Sequence, residues 1–176
     1  NLKGVLTSTD EGANWTILLD EAAFSATELN NGSLLVGGFN GEVFISSDAG
    51  ANWTTVDLGL EGSLFNNQGV NHIQELTDGT LIGSVLWGDA YNDVYKNSSP
   101  GILSSSDGGQ NWSTKNNGLE AHNIVQMYYD ADDEKTYIYS RAAGVFVWNT
   151  DNETWDSVGN EGTPDLTSAS SNTIPD

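Results

Sequence analysis

Trp87, Asp89, Tyr91, Asn92, Asp93 and Tyr95 crowd one short stretch of this 176-residue chain. Flat aromatic faces stack on sugar rings, and carboxylates and amides take the sugar hydroxyls. The same side chains would also serve as the packed tip of an exposed excursion. A second polar set is His72, His122 and Arg141, the only arginine. A third is the acidic run Asp130-Ala131-Asp132-Asp133-Glu134. Clustered carboxylates hold Ca²⁺ when carbonyl oxygens help, although this run lacks the spacing and the sixth-position glycine of an EF-hand loop. A solvated hairpin tip accounts for it more readily. Calcium at Asp130, Asp132 and Asp133 is therefore the one metal expectation; no other cofactor is required. There is no cysteine, no HExxH and no phosphate-binding glycine loop, so no catalytic residue is singled out.

The elements that must position these groups announce themselves through a repeat. Ser8-Thr9-Asp10-Glu11-Gly12-Ala13-Asn14-Trp15, Ser46-Ser47-Asp48-Ala49-Gly50-Ala51-Asn52-Trp53 and Ser105-Ser106-Asp107-Gly108-Gly109-Gln110-Asn111-Trp112 share one spacing. Each sits between short runs of β-branched and aromatic residues, which reads as a hairpin. The aspartate accepts backbone N–H bonds from the turn, the glycine takes a left-handed conformation, and the tryptophan opens the next strand and packs beneath the turn. Trp148 to Trp155 repeats the seven-residue step with Thr150 for the aspartate and Asn152 for the glycine. Asn152 is expected to take the left-handed corner there.

Asp10, Gly12, Trp15, Asp48, Gly50, Trp53, Asp107, Gly109 and Trp112, with Trp155 in the degenerate copy, thus resemble the Asp-box, or BNR repeat, of sialidase-like and sortilin-like β-propellers. The resemblance covers most of the chain and implies a fold more strongly than a reaction. It implies an all-β protein of four-stranded antiparallel blades. The spacings from Asp10 to Asp48 and from Trp112 to Trp155 fall near the roughly 40–45 residues of a blade, and the middle one needs an insertion of about 15.

One blade is predicted at Phe24–Leu29, Ser33–Gly38, Glu42–Ser47 and Trp53–Leu58. The next is at Asn71–Leu76, Thr80–Trp87, Gly101–Ser105 and Trp112–Lys115. A third is at Ile124–Tyr129, Lys135–Ser140, Gly144–Asn149 and Trp155–Val158. Gly4–Thr9 and Trp15–Leu19 supply only the outer half of a blade. Residues 1–158 therefore hold about three and a half blades, and 159–176 are a polar linker or the start of another blade. Propellers close with four to eight, so the chain is expected to be part of a longer one or to self-associate. An open ring exposes two apolar sheet faces.

Five basic against 25 acidic residues give a formal charge of −20. Such a surface repels phosphate backbones and anionic membranes, which excludes nucleic acid as a partner. No stretch is long and apolar enough to insert in a membrane. Charge and repeat together suit a secreted or cell-surface location.

The resemblance also places the octapeptides opposite the ligand face. That puts the insertion 88–100, the connection 59–69, both histidines and Arg141 on the ligand face. It speaks against a sialidase, because that family grips its substrate carboxylate with three arginines. The expected function is a non-catalytic module that binds a glycan or protein, or acts as a scaffold. The alternative is a fragment of a two-carboxylate glycoside hydrolase with Asp89 or Asp93 as one member of the pair.

Overall fold

The computed structural model describes residues 4–60, 68–87 and 99–158, with Gln68, Leu86 and Trp87 seen as backbone only. Fourteen strands and no helix occur among the described residues. β1 (Val5–Thr7) pairs with β2 (Thr16–Leu19) in a two-stranded sheet. Three four-stranded antiparallel meanders follow. They are β3 (Ala23–Glu28), β4 (Leu34–Gly38), β5 (Glu42–Ser46) and β6 (Thr54–Asp57); β7 (Gln68–Glu75), β8 (Leu81–Trp87), β9 (Gly101–Ser105) and β10 (Ser113–Thr114); and β11 (Ile124–Asp130), β12 (Lys135–Ser140), β13 (Gly144–Asn149) and β14 (Thr154–Ser157). The half blade and three full blades therefore stand as expected. β6 and β10 begin one residue later than the sequence predicts, because Trp53 and Trp112 still belong to the turn.

The sheets bury their faces against one another. Leu19 from the first sheet meets Val36 and Phe44 of the second. Leu35 and Val43 meet Val70, Leu81 and Leu103 of the third. Ile82 and Ile102 meet Ile124, Ile138 and Trp155 of the last. Both faces of a middle sheet are thus core, so β8 reads as a nearly continuous apolar run rather than an alternating one. Each such side chain taken from water contributes about 1.5–3 kcal/mol.

The first strand of every four-stranded sheet carries a bulge at the same place, with Phe24, Asn71 and Val125 as the extra residues. A bulge sharpens the local twist and re-aims side chains. Ser25 Oγ then donates to the carbonyl of Val70 in the next sheet at 2.8 Å.

The octapeptides form one hydrogen-bond circuit three times. In the second copy Asp48 Oδ1 accepts from Ser46 Oγ and the Asn52 backbone, each at 2.8 Å, and Asp48 Oδ2 accepts from Asn52 Nδ2 at 2.7 Å. Ser46 Oγ in turn accepts the Gly50 N–H at 2.8 Å. The circuits of Asp10 and Asp107 are the same. These bonds stabilise the charged form, so all three carboxyls lie below their ordinary 3.8, and that of Asp107 is lowered to about 2, chiefly through the side chain of Asn111.

Two features depart from the sequence reading. The residue before each glycine is also left-handed, Glu11 at φ 58° and Ala49 at φ 57°, and only Gly108 is a glycine at that position. In the fourth hairpin the left-handed corner is Glu153 at φ 52°, not Asn152. The seven-residue step survives as direct pairing of Trp148 with Trp155, but pairing continues to Asn149 and Thr154 and leaves a loop of only 150–153. Asn149 Oδ1 closes it by accepting from the N–H groups of Asp151 and Asn152 at 3.0 and 3.3 Å. A loop that short has no room for the octapeptide circuit.

Candidate functional site

Strand alternation puts the octapeptides and the first-to-second-strand turns at one edge of the blades. The second-to-third-strand loops and the connections between blades lie at the other. At the octapeptide edge the first-to-second-strand turns vary little, spanning 29–33, 76–80 and 131–134. At the other edge the second-to-third-strand loops span 39–41, 88–100 and 141–143, so one is far longer than its two counterparts. Asp89, Tyr91, Asn92, Asp93 and Tyr95 lie outside the described residues, as does the side chain of Trp87.

His72 and His122 occupy this second edge, at the starts of β7 and β11. His72 Nδ1 lies 3.4 Å from Ser84 Oγ, and Ser84 spends its own proton on Asn71 Oδ1 at 2.9 Å. Ser84 can then only accept from the ring, which places the His72 proton on Nδ1. His122 Nδ1 lies 3.3 Å from the carbonyl of Ser99, an acceptor, and carries its proton on the same nitrogen. In its neutral form each ring then keeps Nε2 as an acceptor. Burial holds the His72 imidazolium below its ordinary 6.5. Ser84 beside it is wholly buried, which bars it from acting as a nucleophile.

Arg141 follows β12 at this edge, and its backbone N–H donates to the carbonyl of Asn123 at 3.2 Å. The structure thus brings His72, His122 and Arg141 to one edge while tying each to its own neighbour. The residues that hold them, Asn71, Ser84 and Ser99, were missed in the sequence. Ser84 had a signal: a hydroxyl inside the apolar run of β8 must find a partner when buried. Ser99 Oγ donates to the Val85 carbonyl at 2.7 Å, and Asn116 Oδ1 accepts the Ile102 N–H at 2.8 Å, so the start of β9 is pinned on two sides.

The acidic run forms the β11–β12 turn at the octapeptide edge. Asp130 Oδ1 accepts from the N–H groups of Asp132 and Asp133 at 3.1 and 3.3 Å, and Asp133 lies 3.9 Å from Lys135. No group of three or more histidine, aspartate or glutamate side chains is gathered for a metal ion among the described residues. The turn thus spends the Asp130 carboxylate on its own backbone.

No family model matches the chain, and no curated protein does. Solved structures do. The extracellular domain of BT4673 from B. thetaiotaomicron superposes with a TM-score of 0.62 at 15% identity, covering 88% of this chain and 20% of that one. A GH74 enzyme of Niastella koreensis gives 0.57 at 18% identity, over 89% and 22%. YCF48 bound to D1 peptide gives 0.53 at 16% identity, over 86% and 45%. This chain spans about a fifth of the first two structures and under half of the third. Its four sheets, their meander order and these propeller-type neighbours make it a run of β-propeller blades.

Proposed function

We propose that the chain is a non-catalytic Asp-box propeller module, secreted or displayed at a cell surface, that binds a glycan or a protein through the edge opposite its octapeptides. The observation that carries this reading is the contrast in the strand-joining loops. The first-to-second-strand turns at the octapeptide edge vary little, whereas the 88–100 loop at the other edge is long and rich in aromatic, carboxylate and amide groups. Binding residues concentrate on such loops when a rigid scaffold positions them. His72 and His122 add two acceptors beside it, and the extracellular neighbour supports the location.

The test is an array of glycans and peptides probed with the labelled chain, followed by a reducing-end assay on every glycan retained. Retention without new reducing ends is expected. New reducing ends would favour the two-carboxylate hydrolase reading instead, and failure to retain any glycan or peptide would contradict both.

A further inference from the structure

The glycine corner of an intact octapeptide fills space against the preceding sheet. A Cβ on Gly50 would lie 2.5 Å from Leu18 Cδ1, and one on Gly109 would lie 3.0 Å from Leu35 Cδ2. The last sheet has no such corner, because its loop has shrunk to 150–153 and Asn152, in the glycine's place, is exposed. Ile82 is the register equivalent of Leu35: each stands one place after the strand position opposite the octapeptide serine. Above Ile82 the structure has a cleft of about 400 Å³ between the last two sheets, at the octapeptide edge. That volume lies within the roughly 300–1,000 Å³ of small-molecule sites.

The walls of the cleft specify a chemistry. Leu76 and Trp148 are apolar, and Lys115 Nζ sits 4.0 Å over the Trp148 ring. Glu134 Oε1 accepts from Thr77 Oγ1 at 2.8 Å, and Tyr129 OH donates to the same hydroxyl at 3.1 Å. Carboxylates only accept and an ammonium only donates, whereas an alcohol does both. A ligand with several hydroxyls on an apolar ring therefore satisfies every wall at once. A charged ligand would meet a like charge on one side or the other. From this we infer that the cleft is a second binding site, for a neutral pyranose unit, separate from the loop edge and created by decay of the fourth octapeptide.

The test uses the whole ¹⁵N-labelled chain titrated with the methyl glycosides of glucose, galactose, mannose and N-acetylglucosamine. At least one is expected to move the Trp148 indole and Thr77 amide resonances in a saturable way. Replacing Trp148–Trp155 by Ser-Ser-Asp-Ala-Gly-Ala-Asn-Trp restores an octapeptide of equal length and should abolish that response. If that variant does not fold, Tyr129→Phe keeps the ring and should weaken binding about three- to tenfold. The inference is overturned if none of the four glycosides moves these resonances, or if Tyr129→Phe binds as the wild type does. Shifts confined to His72, His122 and Ser99 would likewise overturn it, while leaving the loop-edge reading intact.

Discussion

The indole N–H of Trp155 donates to the carbonyl of Lys115 at 2.7 Å, so the last sheet is tied through its outermost strand to the end of the sheet before it. Trp53 makes the corresponding reach to Leu18 at 3.2 Å. Trp112 instead turns back to Gly109 in its own octapeptide at 2.8 Å. Trp15 is 61% exposed. The repeat thus does two jobs with one residue type, closing its own turn or joining neighbouring sheets.

Trp155→Phe keeps most of the ring and removes the donor, leaving the Lys115 carbonyl short of a partner. A loss of about 1–3 kcal/mol is expected in chemical denaturation. Trp15→Phe should change stability by less than about 0.5 kcal/mol, as surface substitutions generally do. Equal effects of the two would contradict the cross-sheet role.

Ala49→Gly should stabilise the chain by about 0.5–1 kcal/mol. Ala49 holds φ at 57°, a conformation that costs a side chain but not glycine. The third octapeptide already has Gly108 there. Thermal melts of the single variant decide it, and a lower Tm would mean that the strain is relieved elsewhere in the turn.

Acid should weaken the octapeptides in a defined window. The folded-state pKa of Asp107 is depressed, so its contribution is present above the ordinary 3.8 and is lost as pH falls through about 2. Asp10 and Asp48 are displaced the same way. The Tm difference between the wild type and Asp107→Asn should hold steady at neutral pH and narrow between 3.8 and about 2. A difference independent of pH would show that the charge on Asp107 is not what holds the turn.

Leu6, Trp15 and Ile17 at the first sheet and Tyr128, Tyr139, Val145 and Val158 at the last are exposed. Their counterparts between sheets are core, and such faces favour association. Light scattering at micromolar concentration should give a mass above the 18.8 kDa of one chain. Trp15→Ser with Ile17→Ser should lower it. A monomer at all concentrations would contradict this use of the two faces.

Most strands were legible because the octapeptide marks a hairpin and β-branched runs flank it. The bulges at Phe24, Asn71 and Val125 were not, since an extra residue in a strand leaves no mark in composition. Glu11 and Ala49 were missed because their left-handed conformation is imposed by the circuit around them rather than by their own type. Asn152 misled for the converse reason: it tolerates the corner, but continued pairing through Asn149 and Thr154 moves the corner to Glu153. His72 and His122 stand at the starts of β7 and β11, an edge that the strand order made legible, whereas their tautomers depend on Ser84 and Ser99, which only the fold brings near.

The most direct test of the binding-edge account is to measure the affinity of the chain for the best ligand from the array before and after Tyr91→Ala and Tyr95→Ala are combined. Both fall in sequence between the end of β8 and the start of β9, and the Tm should hold while the affinity falls at least about tenfold, the scale of losing an aromatic contact. Unchanged affinity at unchanged Tm would contradict the account and send the search for the binding surface elsewhere on the blades.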